Sequence, residues 1–257
     1  FVFINIKLLK LLNSCHIIKI GDKMIKTKIF AHRGASGLVP FENTIEAFLK
    51  AIELKCDGIE LDVRQTKDEI IIINHNPDIG GLIIKDHTFN TLSKKALELG
   101  YKIATLDETL ELCRNKIFLD IEVKETGFEQ KLITMVNQYL DYNQFFIRSF
   151  IEDVIIKAKE IDPNIKTVLL ISTKKISKIF SVIFPNKKIE RTKCDVISPH
   201  YKLVRLRFIK RMHKQNIPVS IWTVNKEKDI YRFIKKDVDY IITNYPNKAI
   251  AISKEGK

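Results

Sequence analysis

Short apolar runs alternate with longer segments of helical periodicity along most of the chain, and this order limits the fold more than any other feature. A βαβα order is expected of a parallel sheet with helices on its outer face. The apolar runs predict strands at 28 to 32, 57 to 63, 117 to 123, 145 to 149, 167 to 171, 195 to 198, 218 to 223 and 239 to 243. Eight such strands predict an α/β fold, a TIM-like (β/α)8 barrel, and 257 residues are enough for one barrel domain.

A further apolar run, 70 to 74, interrupts this alternation. It follows the second predicted strand by only six residues, too few for a crossover helix, so the two runs are predicted to form an antiparallel hairpin through the turn 66 to 69. Pairing about residue 67 or 68 sets His75 opposite Ile59 or Glu60. The extra hairpin strand therefore returns a histidine to the level of acidic residues.

The stretch from 76 to 103 is the longest without a strong strand pattern, and segments of that length are commonly functional or inserted. We expect a small inserted cap over the mouth of the barrel. After it, Thr105 and Glu108 have the spacing of a capping box, which predicts a helix start. Helical periodicity predicts further helices at 44 to 55, 128 to 140 and 226 to 235.

The N-terminal residues do not share the barrel pattern. Residues 1 to 12 are apolar but interrupted by Asn and Lys, so they are too short and too polar for a membrane span of about 20 residues. Met24 directly precedes the first predicted strand. We therefore predict an N-terminal extension over 1 to 23, outside the fold, and a barrel domain over 24 to 257.

The four cysteines lie far apart in the sequence. They have neither the close pairs of a zinc site nor the density of a disulfide scaffold, so a reducing compartment is expected. The predicted location is cytoplasmic. A lipoprotein or secreted form is the alternative, because Leu12 to Cys15 faintly resembles a lipoprotein cleavage site.

Positive charge is concentrated in one segment of a chain whose net charge is +13. Residues 174 to 214 hold thirteen Lys or Arg against two acidic residues, a net charge of +11. Such a segment is typical of a solvated surface or of a face that attracts anionic partners. Peripheral contact with an anionic membrane is open on this basis. No nucleic-acid partner is expected, because stacking aromatic residues are not interleaved with these charges.

Three acidic residues mark the ends of two predicted strands. Glu60 and Asp62 are two residues apart on one strand, so both side chains project to the same face, and Glu122 ends the next barrel strand. Asp120 and Lys124 share the face of Glu122. Inward-facing carboxylates are costly unless neutralised. With no Cys nearby, the trio favours Mg²⁺ or Ca²⁺ over zinc, and ordinary pairing with Lys or Arg is the alternative.

Two histidines and an arginine fall near the same predicted mouth. His32 ends the first strand, and Arg33 beside it has the planar guanidinium that can take two phosphate oxygens. Gly34 and Gly37 permit close backbone approach in the loop that follows. His32 and His75 in one mouth offer a base and an acid near neutral pH. The pattern indicates a catalytic site for an anionic substrate.

An ordered set of motifs, spread from Lys28 to Pro246, resembles the glycerophosphodiester phosphodiesterase family. They are His32 to Gly37, Glu42 to Thr44, Gly58 to Val63, Thr66 to Asp68, His75, Thr105 to Glu108, Ile121 to Lys124, Ser149-Phe150, Trp222 to Asn225 and Ile241 to Pro246. The chain departs from the family pattern at Asn76, where Asp is usual, and in 77 to 81, which lacks a common basic residue. Asn76 can still hydrogen-bond as Asp does, without the charge.

The resemblance implies a TIM-like barrel and a role for each candidate residue. The roles are one Mg²⁺ or Ca²⁺ ion on Glu60, Asp62 and Glu122, general acid and base catalysis by His32 and His75, phosphate contacts from Arg33 and Lys124, and substrate contacts from Glu42 and, on the glycerol side, Trp222.

The reaction implied by the resemblance is hydrolysis of a small-molecule glycerophosphodiester to sn-glycerol 3-phosphate and an alcohol. The glycerol 2-hydroxyl attacks phosphorus, and water then opens the cyclic phosphate. The alternatives are a phospholipase D-like or lysolipid phosphodiesterase activity on the same barrel, and a catalytically impaired protein that binds phosphodiesters.

Overall fold

The computed structural model describes residues 27–172 and 185–255, and its centre is a barrel of parallel strands. The strands are β1 (Lys28–His32), β2 (Gly58–Gln65), β3 (Ile71–Ile73), β4 (Asp78–Ile79), β5 (Leu82–Ile83), β6 (Phe118–Val123), β7 (Phe145–Ser149), β8 (Thr167–Ile171), β9 (Val196–Pro199), β10 (Ser220–Ile221) and β11 (Tyr240–Thr243). The barrel order is β10-β11-β1-β2-β6-β7-β8-β9. Bridges from Ile197 to Val219 and from His200 to Trp222 join the two ends of this row. The predicted barrel is confirmed, and the ends of its strands lie within two residues of the predicted bounds.

Helices follow most barrel strands and cover the outer face. Those in the described residues are α1 (Ile45–Glu53), α2 (Phe89–Glu98), α3 (Leu106–Cys113), α4 (Glu129–Tyr139), α5 (Glu152–Ile161), α6 (Asn186–Thr192), α7 (Leu206–His213), α8 (Glu227–Ile234) and α9 (Pro246–Glu255). The predicted capping box is present, because Thr105 accepts the Glu108 backbone N–H and the Glu108 side chain accepts that of Thr105. Local sequence therefore determines where α3 begins.

Aromatic rings fill part of the barrel interior. Phe118 packs against Phe30 and Phe146, with ring centroids 5.5 Å and 4.6 Å apart, and Tyr240 completes the group at 5.4 Å from Phe30. A Cβ atom at Gly58 would lie only 2.8 Å from the Phe30 ring, so this glycine makes room for it. Asp120 and Glu122 follow Phe118 along β6, towards the carboxyl ends of the strands, where barrel enzymes place their sites.

The predicted hairpin is present and is centred on residue 68, as predicted, but the residue opposite His75 differs from the predicted one. β3 pairs antiparallel with β2, Val63 standing opposite Ile73, and continuation of that register sets His75 level with Leu61 rather than with Ile59 or Glu60. The reason is the turn from Thr66 to Ile70, which the Thr66 N–H closes by donating to the Ile70 carbonyl at 2.9 Å.

The segment after β3 is the expected insertion. It contains the two-stranded β4–β5 sheet and α2, and its apolar side chains form a separate cluster that includes Ile79, Ile84 and Leu92. We call residues 76 to 103 the insertion. It packs beside the mouth, because its first residues and the loop after β1 line one common groove.

Two predictions fall partly or wholly outside the described residues. The N-terminal extension, 1 to 23, is one of them, and its place outside the fold stays a prediction. The first part of the basic segment, up to 184, is the other, so membrane contact also stays a prediction. None of the helices within 27–172 and 185–255 has the length and apolar character needed to cross a membrane.

Candidate active site

Three buried carboxylates converge at the mouth of the barrel. Glu60, Asp62 and Glu122 each offer an oxygen within 4.8 Å of the others, and their exposed fractions are 2%, 1% and 6%. Alternation along β2 puts the first two on one face, and the parallel register of β2 with β6 sets Asp62 beside Glu122. We call these residues the carboxylate trio.

Two cations lie against the trio. Lys124 Nζ is 2.6 Å from Glu122 Oε1 and 3.1 Å from Asp62 Oδ1, and Arg33 Nε is 3.2 Å from Asp62 Oδ2. The Asn43 amide also donates to Asp62, at 2.9 Å. Burial alone would raise the pKa of Asp62, but Lys124 and Arg33 outweigh burial and lower it. Asp62 is therefore held ionised.

Glu60 differs from Asp62 in its partners and in the direction of its pKa shift. Its Oε2 accepts the Arg33 backbone N–H at 3.1 Å, and the His32 ring lies 3.8 Å away. Among the described residues it forms no ion pair with a Lys or Arg. Burial, together with the charges of Asp62 and Glu122, raises the pKa of Glu60 well above its usual value, and the pKa of Glu122 is also raised, chiefly by burial. The trio is thus short of positive charge.

A separate ion pair lies inside the barrel next to the trio. Arg148 donates to both Asp120 oxygens, at 2.9 Å and 2.7 Å, and to the Ser220 hydroxyl at 3.0 Å. Burial raises the pKa of Asp120 to about 6, and Arg148 opposes that rise. Sequence reasoning placed Asp120 on this face but missed Arg148. Its position two residues after Phe146 on β7 was the available signal.

His32 is oriented by a residue far along the chain. Its Nδ1 lies 2.7 Å from the Asn244 Oδ1, which can only accept, so the ring proton sits on Nδ1 and the lone pair on Nε2. Burial, followed by the charge of Arg33, lowers the pKa of His32 to about 3. Asn244 lies in the motif from Ile241 to Pro246, but the motif did not indicate this role.

His75 is half-buried at the edge of the mouth. Its Nδ1 lies 3.0 Å from the Asn76 Oδ1, so Asn76 makes the hydrogen bond expected of it. The His75 carbonyl accepts two hydrogen bonds from Arg64, which is held in turn by Glu125 at 3.0 Å. Burial lowers the pKa of His75. Both histidines therefore direct Nε2 away from their amide partners.

The loop after β1 brings Arg33 to the site by a tight turn. Arg33 and Gly34 both have positive φ, and a Cβ at Gly34 would meet Ala47 at 2.6 Å. Arg33 also pairs with Glu42 at 2.5 Å. Glu42 is 47% exposed and lies on the rim, where it reaches the site through Arg33.

A cavity joins these groups, and we call it the central cavity. Of the nine predicted site residues it is lined by His32, Arg33, Glu60, His75, Glu122, Lys124 and Trp222. Asp62 is buried behind them, and Glu42 stands on the rim. Arg148, Phe150 and Leu170 line the cavity without having been predicted to do so. The Trp222 ring is held by Phe150, at a centroid distance of 5.3 Å, and by donation to the Ser198 carbonyl.

The chain is similar in sequence to known proteins. The sequence model described as the Glycerophosphoryl diester phosphodiesterase family matches residues 32–248. A glycerophosphodiester phosphodiesterase of Caldanaerobacter subterraneus subsp. tengcongensis is 33% identical over 250 residues, which cover 90% of this chain and 100% of the relative. One of Bacillus subtilis is 29% identical over 84% of this chain and 83% of its own length.

Solved structures show the same fold. The crystal structure of an Oleispira antarctica phosphodiesterase, in complex with the product sn-glycerol-3-phosphate, matches with a TM-score of 0.76 at 21% identity, over 88% of this chain and 96% of that one. A glycerophosphodiester phosphodiesterase of Thermotoga maritima matches with a TM-score of 0.75 at 24% identity, over 88% and 98%. By the match to residues 32–248 and the identity to curated relatives, the chain belongs to the glycerophosphoryl diester phosphodiesterase family of enzymes.

Proposed function

We propose that this enzyme hydrolyses glycerophosphodiesters to sn-glycerol 3-phosphate and an alcohol, with one divalent cation and two histidines as the catalytic groups. Family membership supports the reaction class. The observation that carries the catalytic proposal is the position of the carboxylate trio, which lies at the central cavity with too little positive charge and with both histidines at the same cavity.

The residues present fit a hard cation. Glu60, Asp62 and Glu122 supply oxygen ligands only, the set that Mg²⁺ and Ca²⁺ prefer. The raised pKa of Glu60 is consistent with a site that lacks one positive partner, because an ion there would favour the carboxylate form. When bound, the ion would lower the pKa of an attacking hydroxyl and screen the charge of the phosphoryl oxygens.

Arg33 and Lys124 are suited to hold the phosphate. Both line the central cavity, and both are paired with carboxylates of the site in the free protein. The Arg33 guanidinium can donate to two phosphate oxygens in its plane, whereas Lys124 acts as a point charge. Trp222 lines the same cavity, and we assign the glycerol arm to that side.

The two histidines divide the proton transfers by their positions. His32 is the more buried, its Nε2 carries the lone pair, and its lowered pKa keeps it neutral, so it accepts the proton of the glycerol 2-hydroxyl. His75 lies at the edge of the mouth and, in its protonated form, donates a proton from Nε2 to the alkoxide that departs towards solvent. A cyclic glycerophosphate forms, and water opens it with the histidine roles reversed.

The test is a turnover panel with coupled detection of sn-glycerol 3-phosphate. The substrates are glycerophosphocholine, glycerophosphoethanolamine, glycerophosphoglycerol and a lysophospholipid, each assayed with EDTA and after return of Mg²⁺ or Ca²⁺. We expect release of sn-glycerol 3-phosphate from the first three, loss of turnover in EDTA and recovery with either ion. Full turnover in EDTA would contradict the metal site, and cleavage of the lysophospholipid alone would favour the alternative activity.

The cyclic phosphate is tested separately by ³¹P NMR. A five-membered cyclic phosphate resonates well apart from both the diester and sn-glycerol 3-phosphate, so a transient signal at that position is expected early in the reaction. A reaction run to completion without that signal, with the product formed directly, would contradict the two-step route.

A further inference from the structure

One side of the barrel is covered by a stretch of chain that has no acidic residue. Residues 196 to 226 contain seven Lys or Arg and no Asp or Glu, a net charge of +7. This stretch runs from β9 through a short 3₁₀ turn, Tyr201–Leu203, and α7 to β10. Like charges placed so close together repel one another, and an anionic partner would relieve that repulsion.

The cations of this stretch lie on its outer side. α7 buries Phe208, Ile209 and Met212 against the barrel, so the opposite side of the helix faces outward. Five cations of the turn and of α7 with its flanking residues are exposed: Lys202, Arg205, Arg207, Lys210 and Lys214. The last three follow one another at helical spacing and form a single stripe. We call the five cations, together with the exposed Leu206, the basic face.

The charge of the basic face is not balanced within the described chain. None of its five cations forms an ion pair with a described residue. Glu227, the first acidic residue after the stretch, pairs with Lys248 at 3.0 Å, and Asp229 pairs with Arg232 at 3.2 Å. Of the 31 acidic residues of the chain, only Asp22 lies outside the described residues. One carboxylate offsets at most one of the five charges, so most of the charge remains for an external partner.

An apolar side chain lies among these cations. Leu206 is 40% exposed at the start of α7, between Arg205 and Arg207 in the sequence. This combination suits a lipid surface, because the cations meet anionic head groups while the aliphatic group enters the boundary of the acyl chains. A nucleic acid would instead favour exposed rings for stacking, and Phe208 of α7 is buried.

The basic face begins beside the mouth of the barrel. The 3₁₀ turn and the start of α7 follow the carboxyl end of β9, which is the end where the central cavity lies. The Tyr201 N–H donates to the carbonyl of Trp222, which lines that cavity, at 3.0 Å. A surface bound at the start of the basic face is therefore close to the mouth.

We propose that the basic face docks the protein onto a membrane surface that contains anionic lipids. The five cations supply the long-range attraction, and Leu206 adds a short-range apolar contact. The binding is peripheral and reversible, because the attraction of each cation is modest and is screened by salt. The basic face lies outside the central cavity, so docking does not depend on which reaction the cavity performs.

The test is flotation of the protein with lipid vesicles in a density gradient. The vesicles contain equal parts of phosphatidylglycerol and phosphatidylcholine, or phosphatidylcholine alone. We expect flotation with the anionic vesicles at about 50 mM NaCl and release at about 500 mM, because salt shortens the range of the attraction. Absence of flotation with the anionic vesicles at low salt would overturn the proposal. Equal flotation with phosphatidylcholine alone would do the same.

Charge removal identifies the surface that binds. Arg207→Gln, Lys210→Gln and Lys214→Gln in one variant should raise the apparent Kd for anionic vesicles about 100-fold, since each cation contributes about a factor of five. The matched control carries three Lys→Gln changes on exposed lysines of the chain between β2 and β6, and β2 stands across the barrel from β9. These lysines are Lys67, Lys94 and Lys116. An equal loss of binding in both variants, with thermal unfolding unchanged, would overturn the assignment to the basic face.

Two further measurements distinguish a membrane from other anionic partners. Leu206→Ser should weaken binding to the anionic vesicles about threefold or more, because it removes the apolar contact. It should leave binding to a DNA duplex unchanged. No effect of Leu206→Ser on vesicle binding would overturn the assignment of a membrane as the partner. So would tighter binding of the wild type to the duplex than to the vesicles at equal salt and equal concentration of anionic groups.

Discussion

The carboxylate trio and the Asp120–Arg148 pair lie side by side in the barrel, yet their charges are balanced in opposite ways. Asp120 and Glu122 are only two residues apart on β6. Asp120 receives both of its hydrogen bonds from Arg148, and Ser220 occupies a further guanidinium donor. Glu60, in the trio, is equally buried and forms no ion pair with a Lys or Arg of the described chain.

The difference distinguishes a buried carboxylate with a structural role from buried carboxylates that bind a ligand. A buried carboxylate with a complete set of partners is neutralised within the fold and needs nothing from outside. Carboxylates that converge without enough cations destabilise the ligand-free fold. Such an arrangement is expected at a site where a bound ligand neutralises the negative charge. The comparison makes four predictions, of decreasing effect.

The largest effect is expected from Glu60→Gln. This change removes a proposed metal ligand, and turnover should fall about 10⁴-fold, since a bound ion supplies several kcal/mol of transition-state stabilisation. The same variant should unfold at a higher temperature than the wild type when both are in EDTA, because the pKa of Glu60 is raised by burial and by like charges. Activity and calorimetric Tm are the measurements. A lower Tm for Glu60→Gln than for the wild type in EDTA would contradict the interpretation that the carboxylate trio has too few cationic partners.

His32→Ala and His75→Ala should each lower kcat by about 10²- to 10⁴-fold with folding intact. A glycerophosphodiester of p-nitrophenol distinguishes their roles, because that leaving group departs without a proton. His75→Ala should regain most of its loss on this substrate, whereas His32→Ala should not. Equal losses for both variants on both substrates would refute the division of roles. The double variant should lose less than the product of the single losses.

The Asp120–Arg148 pair gives the next effect, on folding rather than on chemistry. Arg148→Met leaves Asp120 buried without its partner and should lower the free energy of unfolding by about 3 to 5 kcal/mol, measured by urea denaturation in EDTA. Arg148→Met combined with Asp120→Leu should recover most of that loss. A double variant no more stable than the single variant would contradict the interpretation that Asp120 and Arg148 neutralise each other within the fold.

The smallest effect is a pH dependence due to His32. Its folded pKa, about 3, lies below the ordinary value of 6.5, so the folded state binds fewer protons between these values and stability is lost as pH falls through that window. Between pH 7.5 and pH 5, His32 should account for about 2 kcal/mol of lost stability. Urea denaturation of the wild type and His32→Gln in EDTA measures the difference, and parallel pH profiles would contradict it.

Much of the site could be predicted because it depends on local periodicity. Alternation along one strand places Glu60 and Asp62 on a common face, and the βαβα order makes β2 and β6 parallel neighbours, so Glu122 joins them at the same end. The same reasoning put His32 at the end of β1. These results need only the period of a strand and the direction of its neighbours.

Other features required the folded chain. The Asn244 side chain orients His32 from 212 residues away, and Arg148 meets Ser220 across 72 residues. The register of His75 depended on the hydrogen bond across the turn from Thr66 to Ile70, which no periodicity specifies.

The sequence by itself determined the barrel, its strand order and the nature of the groups at its mouth, because each follows from apolar spacing and residue chemistry. The tertiary structure decided which carboxylate keeps a counter-ion and which lacks one, and it brought Phe41 and Asp78 to one common groove beside the mouth. Charge balance and groove shape depend on distances between atoms of remote segments, and only the closed fold brings those segments together.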